Sequence, residues 1–363
     1  MSRPTVAEIN LKALANNWNL ISSLQDPSRL IPVIKANAYG HGADVIAQTL
    51  KEYGAVQVAV ALLEEAASLR QLGYLEKIIV LGPISKSDII EAQQLAVSPF
   101  LSDKQSLLDF IEAQFIGDIH IKWNTGMNRL GLSEDDTVWL RKLMIQNPNL
   151  QIQAFCTHLK RGEDLGQSDG ESEKQLQVFA RIENQFPEIT YKHLSNSDGF
   201  FANIEHQRLS ANYGARPGIS LYGYTSYKSL QTQKLIPVMT LKTKIVQLKQ
   251  VSKGQSVSYN GTWMADEDSV IAVLPIGYAD GYPRSLSNKG QVFVRGQLVP
   301  LVGIVCMDYI MIDVTKIKSV YVGDEVELWG KNVSLEKLAS SAGTITYEMT
   351  SALTARVPRK FIR

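Results

Sequence analysis

The stretch IPVIKANAYGHG, residues 31–42, joins a short apolar run to a lysine and then to two glycines. The apolar residues before Lys35 are typical of a buried β-strand, and Gly40 and Gly42 allow unusual backbone angles where a helix begins. Burial in an apolar setting lowers the pKa of a lysine, which favours attack of the neutral amine on a carbonyl group to form a Schiff base. A side chain that extends from a strand end into solvent is the alternative interpretation of Lys35.

Similar apolar runs recur along the first two thirds of the chain. They alternate with segments that carry apolar residues at helical spacing, such as DVIAQTLKEYG (44–54) and EKQLQVFARIENQF (173–186). This alternation indicates repeated βα units, and eight such units fill about the length of a (β/α)8 barrel, about 250 residues. We therefore predict an α/β fold with an N-terminal (β/α)8 TIM barrel over residues 8–235. The eight predicted strands are 31–36, 56–62, 77–82, 96–101, 118–123, 152–158, 190–195 and 217–223.

The pattern changes after residue 235 to alternating strands and tight turns. The segments LKTKIVQLKQV (241–251), QVFVRGQLVPLVGI (291–304) and YIMIDVT (309–315) show this alternation. Polar and apolar residues that alternate between glycine-containing turns predict antiparallel strands. We therefore expect a mainly antiparallel β-domain over residues 236–363, with one last helix near 334–350, and we expect residues 1–7 to pair with it.

Composition restricts the classes of function. The 37 Lys and Arg residues nearly balance the 36 Asp and Glu residues, so a net charge of +1 provides no basic field for nucleic acid. The sequence shows neither a secretory signal nor an apolar stretch of membrane-spanning length, so we expect a cytoplasmic protein without a membrane partner. Cys156 and Cys306 are too few for a disulfide scaffold or a clustered zinc site, so we expect free thiols and no metal.

A second cue lies in the seventh and eighth units. HLSNSDG (193–199) lies at the end of the seventh predicted strand, and RPGI (216–219) lies at the start of the eighth. Barrels often bind phosphate near these two strands. The Ser197 hydroxyl and the backbone N–H groups of Gly218 and Ile219 are candidate donors to one anion. Taken singly, each segment also fits an ordinary turn or loop.

Together, these segments resemble the alanine racemase family, and the resemblance covers nearly the whole chain. Members of this family use pyridoxal phosphate to interconvert L- and D-alanine. This reaction supplies D-alanine for cell-wall peptidoglycan. The matching segments are VIKANAYGHG (33–42), KWNTGMNRLG (122–131), HLSNSDG (193–199), ARPGISLYG (215–223), SYNGTW (258–263), IGYADGYPR (276–284), VCMDYIMID (305–313) and RVPR (356–359).

The resemblance implies a set of cofactor-binding residues. Lys35 would hold pyridoxal phosphate covalently, and Arg216 would face the pyridine nitrogen. Because a guanidinium effectively never releases a proton, the pyridine would stay unprotonated and act as a weakened electron sink. His193 would orient Arg216. The remaining matched residues are Tyr39, Ser197, Gly218 and Ile219 at the phosphate, His158 near the ring, and Asn196 in support.

Two basic residues lie in the fifth predicted strand and in the loop after it. Arg129 matches an arginine that contacts the cofactor and the substrate carboxylate, a role suited to a planar set of donors. Lys122 matches a lysine that is commonly carbamylated in relatives, and a carbamate would hold Arg129 in place. The alternative is an unmodified Lys122 paired with an acid.

Racemisation needs one acid/base group on each face of the substrate α-carbon. The resemblance implies Lys35 for one face and Tyr259, supplied by the opposite subunit, for the other. A free tyrosine has a pKa near 10 and is a poor base at neutral pH, so its surroundings must assist it. We therefore expect a homodimer with shared sites. The resemblance also places Met307, through its N–H, at the substrate carboxylate, Asp308 in support, and Glu163, Tyr278, Asp280 and Arg284 at the entrance.

Two positions depart from the pattern. Ile304 stands where many relatives carry arginine, and Ala355 stands where some carry tyrosine. Because both changes remove polar contacts, a racemase that accepts serine or other amino acids is an alternative. A non-catalytic pyridoxal-phosphate carrier would lack the β-domain, and we find no decarboxylase signature.

Overall fold

The computed structural model describes residues 3–363, which form two compact units. One unit contains residues 14–38 and 43–236, and the other contains residues 3–13, 39–42 and 237–363. Within the described range, every helix is too short or too polar to cross a bilayer.

The first unit is a parallel β-barrel surrounded by helices. Its seven regular strands pair in sequence order, each with the next. They are β2 (Gln57–Val60), β3 (Lys77–Val80), β4 (Val97–Leu101), β5 (Ile119–Lys122), β6 (Ile152–Cys156), β7 (Tyr191–Ser195) and β8 (Tyr213–Ala215). The helices of this part of the chain are α1 (Leu11–Leu24), α2 (Lys35–Tyr39), α3 (Ala43–Glu52), α4 (Leu63–Gln71), α5 (Ile89–Gln94), α6 (Lys104–Glu112), α7 (Thr137–Gln146), α8 (Glu171–Glu183) and α9 (Ser197–His206).

Two predicted strands are wrong in detail. The predicted strand 31–36 is irregular, because Pro32 has no N–H and helix α2 begins at Lys35. Its backbone nevertheless closes the ring, since Ile31 N–H donates to the Ala215 carbonyl (2.9 Å) and Ile34 N–H donates to the Ala59 carbonyl (2.8 Å). The predicted strand 217–223 is a 3-10 helix over Ile219–Tyr222, and the eighth strand is the earlier β8.

Large aromatic side chains pack against the fifth and sixth strands of the barrel, on the face opposite Lys122 and Cys156. Trp123, Phe155 and Phe186 are each almost fully buried, and their ring centroids lie 5.1–6.1 Å apart. Burial of each such side chain contributes about 1.5–3 kcal/mol. This packing supports the strands that carry the candidate site.

Helix α2 is a left-handed turn. Residues Ala36, Asn37, Ala38 and Tyr39 all have φ between 52° and 54°. For residues with a Cβ atom this conformation costs about 1–2 kcal/mol each, because Cβ approaches the following carbonyl oxygen. A strained segment of this kind is typical of a functional site.

The second unit is built from β-sheets. The strands are β1 (Val6–Asn10), β9 (Met239–Lys244), β10 (Gln247–Val251), β11 (Ser256–Val257), β12 (Trp263–Met264), β13 (Ser269–Leu274), β14 (Gln291–Val294), β15 (Gln297–Pro300), β16 (Ile310–Asp313), β17 (Glu325–Trp329) and β18 (Arg359–Ile362). The largest sheet has six strands in the order β15-β14-β17-β9-β1-β18, and the unit also contains a three-stranded sheet (β10-β13-β16) and a two-stranded ribbon (β11-β12). An α/β barrel with a mainly antiparallel second part is thus confirmed.

The chain ends meet in the six-stranded sheet. Val6 and Ala7 of β1 pair with Lys242 and Leu241 of β9, and β18 lies parallel to β1 on its other side. Residues 1 and 2, which the sequence also assigned to this pairing, lie outside the described residues. The single helix predicted near 334–350 is wrong, because Gly343 has φ 74° and separates α10 (Leu335–Ala342) from α11 (Thr346–Ser351).

Candidate active site

Lys35 is the first residue of the left-handed turn and is partly buried. Burial lowers the pKa of its amine, and the Arg129 guanidinium lowers it further, while the Glu65 carboxylate opposes both effects. A lower pKa increases the fraction of neutral amine at a given pH. The side chain is therefore suited to nucleophilic attack and to proton transfer.

Glu65 anchors the strained turn. One of its carboxylate oxygens accepts a hydrogen bond from Ala36 N–H (2.5 Å), and the other accepts from Ala61 N–H (2.7 Å) and Leu62 N–H (3.1 Å). Hydrogen bonds to an ionised acceptor are stronger than those between neutral groups. Glu65 thus connects the start of α4 to the backbone beside Lys35.

Several basic side chains gather with Lys35 in the barrel unit. Burial lowers the pKa of Lys122 to about 8, assisted by Arg216, Arg129 and Lys35 and opposed by the Cys156 thiol. The same cations, after burial, lower the pKa of His158 well below its usual range. The Arg129 residue itself is exposed. Among residues 3–363, no carboxylate lies within ion-pair distance of Lys122.

Arg216 is buried and held by backbone carbonyls. Nη1 donates to the His193 carbonyl (2.7 Å) and lies 2.5 Å from His193 Nδ1, while Nη2 donates to the carbonyls of Thr157 (2.5 Å) and Leu194 (3.0 Å). His158 Nδ1 lies 3.3 Å from Nη2. The guanidinium is therefore fixed in one orientation as a permanent cation.

Donors converge on the hydroxyl of Ser197. Its oxygen accepts from Gly218 N–H (3.0 Å), Ser220 N–H (3.2 Å) and the Ser220 hydroxyl (3.0 Å). Ser197 is also the first residue of α9, which Asn196 caps by accepting from Gly199 N–H (2.9 Å). A helix N-terminus together with further N–H groups suits a phosphate. Ile219 N–H lies between these donors in sequence, and its residue is buried.

The barrel unit therefore combines an amine of lowered pKa, a cluster of cations and a group of N–H and O–H donors. The Glu65 carboxylate opposes the lowered pKa of Lys35, whereas burial and neighbouring cations lower the pKa values of Lys122 and His158. Such a site has excess positive charge until an anion binds. It suits a phosphorylated carbonyl compound.

Family models match both parts of the chain. "Alanine racemase, N-terminal domain" matches residues 9–226, and "Alanine racemase, C-terminal domain" matches residues 238–361. The chain belongs to the alanine racemase family.

Named relatives agree over the full length. Alanine racemase of Halothermothrix orenii is 38% identical, with 99% of this chain and 97% of the relative covered. Alanine racemase of Thermodesulfovibrio yellowstonii is also 38% identical, with 100% and 99% covered. Among solved structures, alanine racemase from Bartonella henselae with covalently bound pyridoxal phosphate superposes with a TM-score of 0.90 at 31% identity, covering 99% of both chains.

Several other sequence-predicted residues of this racemase-family chain lie in the β-sheet unit. Tyr259 is 67% exposed and begins a 3-10 turn that ends at Gly261. Before the turn, Ser258 has φ 69°, and its hydroxyl donates to the Ile304 carbonyl (2.8 Å). The turn therefore presents the Tyr259 phenol outward. Since Ile304 supports it through the backbone, this contact does not depend on the side chain at position 304.

An ion network fixes the loop that contains Met307. Arg3 donates to both carboxylate oxygens of Asp280 (2.8 and 2.9 Å), and Arg356 bridges Asp280 and Asp308 at 3.2 and 2.5 Å. Met307 is about half exposed, and its carbonyl accepts from Ala279 N–H (3.1 Å). Asp280 therefore lies inside the unit, with its side chain fully buried, rather than at a solvent-exposed entrance.

The remaining predicted residues lie in both units. In the β-sheet unit, Tyr39 contacts the Tyr347 ring (centroids 5.9 Å apart), and burial raises its pKa. Tyr278 is 43% exposed, and the residues Arg284 and Ala355 are exposed. In the barrel unit, Glu163 lies 3.5 Å from Arg161.

Sequence reasoning missed two residues of the barrel site. Glu65 lies three residues after Leu62 at a strand-to-helix junction, which is the spacing of a capping box. His120 precedes Lys122 by two residues, so the period of a strand places both side chains on one face. Both signals were present in the sequence.

Proposed function

We propose that this chain is an alanine racemase that interconverts L- and D-alanine with pyridoxal phosphate. The observation that carries the proposal is the barrel site, which combines the Lys35 amine of lowered pKa, the buried Arg216 guanidinium and the donors that converge on Ser197. Full-length similarity to relatives named alanine racemase supports the same conclusion.

The residues of the barrel unit fit the cofactor. Lys35 would hold it covalently, in keeping with the covalently bound pyridoxal phosphate of the Bartonella henselae protein. Ser197, Gly218 and Ile219 would bind its phosphate, and Arg216 would face its ring nitrogen beside His158. When bound, pyridoxal phosphate supplies an electron sink that acidifies the α-hydrogen of an attached amino acid.

Arg216 determines how strong that sink is. Its side chain has donors only, and its pKa stays above the range in which proteins release a proton. It can therefore donate a hydrogen bond but cannot protonate a ring nitrogen. Arg216 would therefore keep the bound cofactor a weaker electron sink, which would disfavour side reactions.

Two groups would move the α-proton. Lys35 Nζ would remove or return it on one face, and the phenol oxygen of Tyr259 would act on the other face. The Met307 N–H has no hydrogen-bond acceptor among residues 3–363, so it is available for the substrate carboxylate. Arg129, held by a carbamate on Lys122, would bind the same carboxylate and the cofactor.

Exposure of Tyr259 supports a homodimer with shared sites. The phenol lies beside a cleft of about 750 Å³ whose lining includes Val257, Ile271, Tyr309 and Met311. A tyrosine with this exposure needs other groups around it to act as a base. A second copy of the chain would provide them by bringing its barrel site to Tyr259.

The cellular setting follows from the family. We propose a cytoplasmic enzyme that supplies D-alanine for peptidoglycan. A broader racemase is the second candidate, because Ile304 and Ala355 lack the polar side chains of many relatives. Comparable turnover of serine or lysine and of alanine would favour it.

Spectroscopy and chiral analysis test the activity. The purified protein should be yellow, borohydride should bleach it and fix the cofactor to Lys35, and L-alanine should become racemic. A colourless protein that binds no cofactor, or an unchanged L-alanine sample, would refute the proposal.

Mixed dimers test the shared site. Lys35→Ala and Tyr259→Phe should each abolish racemisation, while Tyr259→Phe keeps the bound cofactor. Co-expression of the two variants should restore about a quarter of the wild-type activity, because half of the dimers then contain one intact site of two. If each site were formed within one subunit, the mixture would stay inactive.

A further inference from the structure

A continuous chain of hydrogen bonds runs through the barrel below Arg216. His193 Nδ1 lies 2.5 Å from Arg216 Nη1, and His193 Nε2 lies 2.8 Å from His120 Nδ1. His120 Nε2 lies 3.0 Å from Gln153 Oε1, which also accepts from Lys77 Nζ at 2.5 Å. Lys77 is in turn paired with Asp118 at 2.8 Å, and that carboxylate is 42% exposed.

Strand geometry brings these groups together. His120 pairs in register with Ala154 of β6, and His193 of β7 pairs with Cys156 of β6. Because β6 presents these small side chains between the two histidines, the imidazoles can reach each other across it. Both rings are fully buried, and Phe100 packs against both, with centroids 5.5 Å from each.

The donors at the two ends fix every proton in the chain. Arginine and lysine only donate, so His193 Nδ1 must accept from Arg216, and Gln153 Oε1 must accept from Lys77. His193 Nε2–H must then donate to His120 Nδ1, and His120 Nε2–H must donate to Gln153 Oε1. A single arrangement satisfies every bond, and in it both histidines are neutral and carry their proton on Nε2.

Electrostatics agree with neutral rings. Burial, followed by Lys77, lowers the pKa of His120 to about 3. Burial, followed by Arg216, lowers the pKa of His193 well below its usual range. A protonated imidazole would direct an N–H group at another donor, which a buried site does not tolerate.

We propose that His120 is a positioning residue that holds His193 in its Nε2–H tautomer and thereby keeps the Nδ1 lone pair directed at Arg216. Without this acceptor, the buried His193 Nε2–H has no partner, so the preference of the ring for the Nε2–H tautomer falls by the free energy of that hydrogen bond. In the molecules that carry the proton on Nδ1 instead, this proton opposes Arg216 Nη1 and displaces the guanidinium from the orientation described above. The catalytic consequence rests on the proposed racemase activity, whereas the tautomer does not.

Ring-nitrogen NMR on the full-length protein tests the tautomer directly. The chain has only five histidines, so 15N labelling of histidine gives a simple spectrum in which protonated and bare ring nitrogens are distinct. We expect the Nε2–H form for both His120 and His193. An Nδ1–H form of His193 in the wild-type protein would overturn the proposal.

Two variants and one control separate positioning from packing. His120→Leu removes the acceptor, His120→Asn retains one near the Nδ1 position, and Phe100→Leu reduces packing against both rings without removing a hydrogen bond. We expect His120→Leu to shift His193 away from the Nε2–H form and to lower kcat about tenfold or more. His120→Asn should restore both properties, and Phe100→Leu should change neither.

The outcomes are distinguishable. A folded His120→Leu variant with wild-type kcat and an unchanged His193 tautomer would overturn the proposal, and so would a Phe100→Leu variant that reproduces its effects. If His120→Leu fails to fold, His120→Asn decides: a lost Nε2–H signal of His193 overturns the proposal, and a retained signal supports it. A wild-type protein that does not racemise alanine would instead refute the proposed function, while the NMR result would stand.

Discussion

Replacement of Glu65 by glutamine tests whether one carboxylate maintains the strained turn beside Lys35. Glutamine keeps one oxygen for Ala61 and Leu62, but it presents an NH2 group to Ala36 N–H, which now bonds to the other oxygen at 2.5 Å. A hydrogen bond to a charged acceptor contributes about 1.5–3 kcal/mol, and Ala36 N–H would then face another donor. We expect the free energy of unfolding to decrease by about 1.5–3 kcal/mol.

The same substitution should change the titration of Lys35. The Glu65 carboxylate raises the pKa of the amine against burial and Arg129. Its removal should therefore lower that pKa, so the neutral amine appears at lower pH. The pH dependence of cofactor attachment, followed by absorbance after borohydride reduction, measures this shift.

Glu64→Gln is the matched control, because it removes the same charge from the same helix turn at an exposed residue. In chemical denaturation, Glu65→Gln should show the whole expected decrease in the free energy of unfolding, and Glu64→Gln should unfold like the wild type. If Glu65→Gln and Glu64→Gln unfold at the same denaturant concentration and Lys35 titrates as in the wild type, the assigned role of Glu65 is wrong.

Three further predictions follow from the site and its surroundings. Burial lowers the pKa of Lys122 to about 8, and an amine reacts with carbon dioxide only in its neutral form. The 13C NMR signal of a carbamate formed from 13C-bicarbonate should therefore weaken between pH 8 and pH 6. A signal that persists in Lys122→Ala would show that another amine carries the carbamate. Ser197→Ala removes the oxygen on which three donors converge and should weaken cofactor affinity about tenfold, measured by equilibrium dialysis, and unchanged affinity would count against a phosphate site there. Gly40→Ala should destabilise the protein by more than Gly54→Ala in thermal melts, because both glycines have positive φ but only the first would place Cβ 2.1 Å from the Thr350 carbonyl; equal losses would show that φ alone matters.

The sequence predicts the barrel because repeated apolar runs and helical spacing depend on local patterns. Predictions failed where a single residue overrides such a pattern. Pro32 interrupts the first strand, and Gly343 divides the last helical stretch into two helices. The parallel pairing of β18 with β1 joins residues more than 340 positions apart, and no local pattern indicates such a contact.

The site divides in a similar way. Lys35 and Arg216 stand in motifs distinctive enough to be found from the sequence alone. The hydrogen bonds from backbone N–H groups to the Glu65 carboxylate, and the chain of hydrogen bonds through His120, depend on distances between strands. These distances are set only when the chain folds. Strand parity could have placed His120 beside Lys122, but it does not show that a ring on β7 reaches across β6.

Pairing of β18 with β1 also has a consequence for synthesis on the ribosome. Arg359, in the last strand, donates to the Gly40 carbonyl (2.9 Å) just after the left-handed turn, and it also holds the carbonyls of Leu353, Thr354 and Val357. A growing chain exposes its first strand long before this partner leaves the exit tunnel. The loop that follows Lys35 therefore reaches its final set of contacts only after residues 359–362 have left the exit tunnel, and until then β1 offers an unpaired edge to other nascent chains.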